Sequence, residues 1–352
     1  MNPADTVTRF EVKGNPVEPP VTKIVEAFGE RKCSKLVEQV ADANIDVRVN
    51  ALEVLCDEVL NPQSIFGVCQ AGSVPILAAM CNDGDYTTRL RASKALSVMS
   101  TDANGLNFIL GENAIEEIVK GMYDPSEAVR RNIYTSIMHT TRTAEGVEAC
   151  VYAGVTERFA SCLPQEIAVL KPLLLRTLHN MCATAAGLEN ALHSEVVKVC
   201  IELLSSSYAQ VRADAGRTLG FICFAEPAKA EALNYDGVSI ICKLLENLDE
   251  STEVKSSISL ALMAITTTDE GKRQMNEKVF VSAITALLYD EDRVVKLNAL
   301  KIIANIAVYP AIRDLLLEDN SCTVVIKRLV RGEDALITKH ANYALAAVLA
   351  VP

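Results

Sequence analysis

The chain has 352 residues, half of them hydrophobic, with no Trp, few aromatics and a formal net charge of −11. That acidic balance lacks the basic footprint of a nucleic-acid binder, and no run of about 18 apolar residues is present to span a membrane. Eleven Cys are scattered through helical patterns without a CxxC pair or zinc spacing, which predicts reduced, packed thiols, a reducing compartment and no metal site.

Residues 1–20 carry Pro3, Pro16, Pro19 and Pro20 with little periodicity, and read as an extended or disordered arm. The sequence shows no signal peptide, because this stretch has no apolar h-region. Pro20 precedes a short helical pattern, Val21 to Phe28, stopped at Gly29. From there to residue 352 one pattern recurs: an aliphatic residue, a base, and apolar positions at helical spacing. Aligned starts fall at Val47, Thr88, Val129, Leu170, Val211, Val254, Val295 and Ile337, so successive starts lie 41, 41, 41, 41, 43, 41 and 42 residues apart. So constant a period means a repeat array, whose members share one core and need no domain break; repeats of about 40 to 47 residues are the HEAT and armadillo class.

Each unit divides into three helices. The first is short, as in Gly105 to Leu110, with relatives near Gly146, Gly187 and Gly271. A turn follows, often with Gly: Gly72, Gly111, Gly154, Gly237. Second helices are expected at Val74–Met80, Ile115–Met122, Val155–Leu163, Val196–Leu204, Val238–Leu245, Val279–Leu288 and Cys322–Val330. The third and longest helix begins near each aligned start. Three helices per repeat is the armadillo plan, so the expected fold is an all-α, right-handed superhelical armadillo solenoid of about eight repeats. In the third helix, offsets 0, 4, 7, 8 and 11 from each start are mainly apolar, one stripe that only the neighbouring repeats can cover.

The two departures from the period fall in turns, at Glu246–Ser251 and near Leu317–Ser321, where insertions are tolerated. The first turn is acidic, with Glu246, Asp249, Glu250 and Glu253; it reads as a solvated loop or, alternatively, a cation site. Asn82 to Asp85 reads as a helix stop and N-cap rather than a calcium loop, whose later ligands are missing.

No glycine-rich phosphate loop, G-x-S-x-G or HExxH is present, and no Cys–His–acid set follows from spacing. An enzyme with a small-molecule substrate or a cofactor is therefore not expected. Offset 1 is basic in seven of eight repeats: Arg48, Arg89, Arg130, Lys171, Arg212, Lys255 and Lys296. A base near a helix N-terminus opposes the helix dipole, which predicts an acidic partner, set as a brace on a neighbouring repeat. Offsets 3, 6 and 10 project together, away from the apolar stripe. They present Arg91, Lys94, His139, Arg176, Asn180, Arg217, Lys301 and Asn305, with Glu53, Asp57 and Asp214 as acidic exceptions. In an armadillo solenoid this helix lines the concave groove, so the expectation is a basic groove that receives an acidic or helical segment of a partner protein. The last helix, Ala341 to Val351, is apolar almost all round. It is either tucked under its own repeat or, through Tyr343, Val348 and Leu349, in contact with another protein.

Particular segments carry a family likeness: Ala27-Phe-Gly-Glu-Arg31, Ala51-Leu-Glu-Val-Leu-Cys-Asp57, Asp124-Pro-Ser126 leading to Arg131-Asn-Ile-Tyr134, and Val254-Lys-Ser-Ser257 leading to Ala261-Leu-Met263 and Glu270-Gly-Lys272. In colinear order over about residues 21–350, the chain resembles armadillo-repeat proteins of the ciliary radial spoke. The resemblance implies a structural subunit that binds other spoke proteins and passes mechanical signals to dynein arms. It also implies a place in the axoneme, after a cytoplasmic pool, and no catalytic residue. The alternative is a cytosolic armadillo adaptor for acidic or helical peptides in signalling, adhesion or transport; the absence of Trp and of a regular Asn ladder argues against the nuclear-import type.

Overall fold

The structure, a computed structural model, describes residues 31–247, 249–318 and 320–350. The expected N-terminal arm and the helix at residues 21–28 lie outside the described residues. The chain divides into two compact units, Met1–Glu117 and Ile118–Pro352, and each is taken by itself below. All regular structure among the described residues is helical.

In the first unit, Lys32–Val40 and Ile45–Glu58 are the second and third helices of repeat 1. Repeat 2 is complete, with Pro62–Gln70, Ser73–Met80 and Tyr86–Met99, and repeat 3 opens with Ala103–Gly111. The helix Ile115–Lys120 crosses the boundary. In the second unit the third helices of repeats 3 to 8 are Glu127–Thr140, Lys171–Met181, Ala209–Ile222, Thr252–Ile265, Arg293–Ile306 and Ala335–Val348. Ahead of each from repeat 4 onward stand two shorter helices, the last pair being Pro310–Glu318 and Asn320–Val330. The three-helix plan and its period are as expected.

The third helices outside repeat 4 start two residues before the aligned positions, and in five of them a polar side chain caps the start. Asn44, Asp85, Ser251, Asp292 and Asp334 each accept a hydrogen bond from a first-turn amide. Asp85 takes the Thr88 amide at 2.7 Å, so the Asn82–Asp85 stretch is the helix stop and N-cap its composition suggests. Repeat 4 departs: its third helix has 11 residues where the others have 14. Pro172 sits in its first turn; lacking an amide, it cannot donate to the carbonyl four residues before it, so the helix starts no earlier than Lys171 and the chain turns at residues 168–170.

The predicted stripe is the core. Val211, Ala215, Leu219 and Ile222 are fully buried, as are Val295, Ala299, Ile302, Ile303 and Ile306. A buried Val, Leu or Ile of this kind contributes about 1.5–3 kcal/mol over its exposed state. The neighbouring third helices of repeats 5 and 6 come closest, at Gly216 and Gly220. A Cβ on Gly216 would lie 2.7 Å from Cγ2 of Ile258.

The turns correct one expectation. Left-handed backbone recurs every 41 residues between first and second helices, at Gly72, Asn113, Gly154, Glu195 and Asp236. Gly111 and Gly237, expected in these turns, are instead the last residue of a first helix and the first residue of a second. At Gly237 the need is space, since a Cβ would stand 2.7 Å from the Ala232 carbonyl oxygen; the positive φ falls one residue earlier. Gly105, Gly146, Gly187 and Gly271 likewise press against the last-turn carbonyl of the preceding third helix, which a Cβ would meet at 1.9–2.3 Å. These are the glycines the first-helix pattern picked out.

Candidate functional site: the third-helix face and its flanking turns

In the first unit the face is short. Arg91 donates to the Val49 carbonyl at 2.6 Å and to Glu53 at 3.0 Å, so repeats 1 and 2 are joined across it. Lys94, Glu53 and Asp57 are exposed.

In the second unit the face is a chain of inter-repeat ties. Arg176 donates to both oxygens of Asp214, at 3.3 and 3.2 Å. Arg217 pairs with the same carboxylate and reaches Glu253 at 2.8 Å, and Gln210 also donates to Asp214. Asp214 is 1% exposed, so its charge is held by two guanidiniums that remain half exposed. Asn180 donates to the Thr141 hydroxyl, and Asn305 donates to the Thr266 hydroxyl and the Met263 carbonyl, each spanning one repeat. Asn298, not singled out by the sequence, does the same to Ser256 and Ser259.

His139 keeps a buried Nδ1 without a partner, and burial, then Arg142, lower its pKa. His179 is lowered by burial, then by Arg217, and packs edge-on against Phe221 at 4.9 Å. Phe221 in turn meets Phe224, and both are exposed. Phe221 occupies offset 10, so its spacing marks it as part of this face although it carries no charge. Lys301 is half-buried and depresses the His340 pKa together with Lys339, after burial. The expected basic face is thus largely self-neutralised in its middle. What it presents there is guanidinium edges beside exposed rings.

Offset-1 bases do act as braces, and with a second function. Five of these side chains turn back to cap carbonyls in the turn after the preceding second helix. Arg48 reaches the Asp42 carbonyl, Arg89 that of Asp83, Arg130 that of Asp124, Lys171 that of Pro164 and Arg212 that of Ser206. Four of the seven offset-1 bases pair with an acid of the next turn: Arg48–Asp83, Arg130–Glu166, Arg212–Glu250 and Lys255–Asp290. The Arg130 pair is a two-point fork at 2.9 Å, and Tyr134 also donates to Glu166, at 2.8 Å. Burial would raise the Glu166 pKa, but the bonds from Arg130, the Ile167 amide and Tyr134 outweigh it and hold the carboxyl below its ordinary value. Glu250 is lowered in the same way by Arg212 and the Ser251 amide. In the acidic turn Glu250 and Glu253 are therefore partners of arginines, and no group of three metal-ligating side chains occurs among the described residues.

The terminal helix divides its apolar residues. Val348 is fully buried and belongs to the core, so it cannot form part of an outer contact. Tyr343 and Leu349 are exposed, at 55% and 49%. None of the eleven cysteines is in a disulfide. Burial pushes the thiols of Cys150, Cys182 and Cys223 up to about 12, which suits packing and not nucleophilic attack. Among the described residues no single helix is long and apolar enough to cross a membrane.

No family model matches the sequence. The chain is similar to radial spoke protein 14 of Chlamydomonas reinhardtii, 26% identical over 169 residues, 47% of this chain. The match spans 42% of that protein's length. Among solved structures, an engineered protein superposes with a TM-score of 0.80 at 21% identity, over 91% of this chain and 79% of the other. A computationally designed armadillo repeat protein for modular peptide recognition superposes with a TM-score of 0.61 at 18% identity, over 66% and 99%. The chain therefore has the armadillo-repeat fold, and in sequence it resembles a protein of the radial spoke.

Proposed function

We propose that this chain is a non-enzymatic scaffold subunit of the ciliary radial spoke, residing in the axoneme and binding other spoke proteins. The observation that carries the reading is the sequence similarity to radial spoke protein 14, together with a fold whose third helices offer a long row of polar and aromatic side chains. The row is the partner-binding face in this reading. Arg176, Arg217, Lys301 and Asn305 contact polar groups of a bound segment, with Lys94 and Arg91 doing so in the first unit. Because Asp214 and Glu253 already offset the arginines, the favoured ligand is a helical segment whose apolar side chains cover Phe221 and Phe224. A purely acidic strand fits less well. Tyr343 and Leu349 form a second contact at the last described helix.

The likeness to a designed peptide-recognition protein supports a second reading, a cytosolic adaptor for such segments. Imaging a tagged copy in ciliated cells separates the two: a signal along the axoneme that resists detergent extraction supports the spoke, and a wholly soluble signal supports the adaptor. The paired change Phe221→Gln with Phe224→Gln, at two exposed rings of the face, should abolish incorporation while helicity and melting stay within a few degrees. Normal incorporation would remove the third-helix face from the proposal.

A further inference from the structure

One edge of the second unit has a use that neither the fold nor the third-helix face explains. The turns between second and third helices lie side by side along it. Ala168 and Lys171 share an open hollow with Leu203 and Tyr208, which joins the turns of repeats 4 and 5. Arg212–Glu250, Lys255–Asp290 and Arg293–Asp334 join those of repeats 5 to 8. On this edge large apolar side chains recur facing outward: Val169, Tyr208, Tyr289, Val294 and Leu336 are exposed by 39–60%. They add little to the core; Val169, Val294 and Leu336 share one offset, Tyr208 and Tyr289 stand elsewhere in their turns, and exposed apolar side chains gathered in this way mark a contact surface.

The charges along the edge are sorted. The bases Lys171, Arg212 and Lys255 turn inward to carbonyls and carboxylates. Facing outward are Glu202, Glu246, Asp249, Glu291 and Glu333, all exposed and without an ion pair among the described residues. Arg293, paired with Asp334, and Arg331 are the exposed bases of these turns, so the edge reads from outside as apolar residues rimmed mainly by carboxylates.

We infer that this edge docks a basic, extended segment of a partner protein. The occupant follows from charge and spacing. Carboxylates around apolar steps select Lys or Arg between apolar side chains. Neighbouring helices stand about 10 Å apart, and an extended polyproline II segment advances about 3.1 Å per residue with three residues per turn. An apolar residue at every third position therefore stays on one face of the segment and can meet the steps of repeats 4, 5, 7 and 8. This site is separate from the third-helix face and does not depend on the spoke reading.

The test uses the full chain and a fluorescein-labelled 21-residue peptide of repeated Lys-Ser-Leu. Its controls are a peptide of the same composition with the Leu residues clustered, and a Glu-Ser-Leu peptide. Fluorescence anisotropy at physiological salt should show saturable binding of the first peptide, about tenfold tighter than either control. Val294→Ser with Leu336→Ser, and separately Glu291→Lys with Glu333→Lys, should each weaken it about tenfold. Glu148→Lys with Glu189→Lys, exposed on first helices, makes the same change in net charge and should leave binding within about twofold. Hydrogen exchange on the complex should slow at residues 289–294 and 333–336. The inference is overturned by absent saturable binding, by equal binding of the clustered peptide, by edge variants that bind like the parent, or by an equal loss in the first-helix control. Circular dichroism on each variant excludes unfolding as the cause of a loss.

Discussion

Arginines meet carboxylates across repeats in two rows of the second unit, and the rows are built differently. In the turns, Arg130–Glu166 and Arg212–Glu250 are enclosed: the guanidiniums are 17% and 14% exposed and the acids 6% and 3%. On the third-helix face, Arg176 and Arg217 share the buried Asp214, yet remain 46% and 37% exposed themselves. The paired groups of the closed row are shielded from solvent, and they fix one repeat against the next. The open row anchors the carboxylate and leaves the guanidinium edges to solvent or to a partner. The same residue types thus serve cohesion where they are enclosed and, in the proposed function, recognition where they are exposed.

The contrast is measurable. Glu166→Ala or Glu250→Ala strands a mostly buried arginine and should cost about 3 kcal/mol in urea unfolding. Arg217→Ala on the open row should cost about 1 kcal/mol or less; equal costs would erase the distinction. Gly216→Val forces a side chain into the closest contact between repeats 5 and 6 and should cost about 2 kcal/mol. It should also disturb the open row, because Asp214 and Arg217 flank it.

The closed row makes stability depend on pH in a definite direction. Both acids have folded-state pKa values below the ordinary carboxylate value, about 4.3 when unfolded. Their contribution is complete above that value and is lost as pH falls through the lower folded one. The urea midpoint should therefore drop between about pH 5 and pH 3, and less steeply in Glu166→Gln with Glu250→Gln. The smallest effect is expected at Glu195, which holds a left-handed φ of 55°. Glu195→Gly should relieve that strain and raise stability by roughly 0.5–1 kcal/mol, read as a small rise in melting temperature.

The repeat, its three helices and the buried stripe were legible because a 41-residue period and a 3.6-residue period are both written in apolar residues. The brace was legible for a related reason: a base beside a helix N-terminus needs compensation, and Arg130 finds Glu166 one turn along the array. The neutrality of the third-helix face was not. Asp214 shares the register of its arginines and could be seen. Glu253, however, lies 36 residues beyond Arg217, on another helix, and only packing brings them together. The left-handed positions at Asn113 and Asp236 were hidden because the nearby glycines drew the turn elsewhere: Gly237 is required for close packing against Ala232, and a Cβ on Gly111 would meet nothing within 4 Å. Val348 looked like its exposed neighbours because the last helix is apolar on nearly every side, and composition alone cannot say which side is covered.

The most direct measurement is cross-linking mass spectrometry on isolated axonemes that carry a tagged copy of the chain. The expected result is a set of cross-links from Lys94, Lys301 and Lys339, on or beside the third-helix face, to other radial spoke proteins. Absence of the chain from the axoneme, or links that avoid the third helices altogether, would contradict a spoke scaffold that grips its partners by that face.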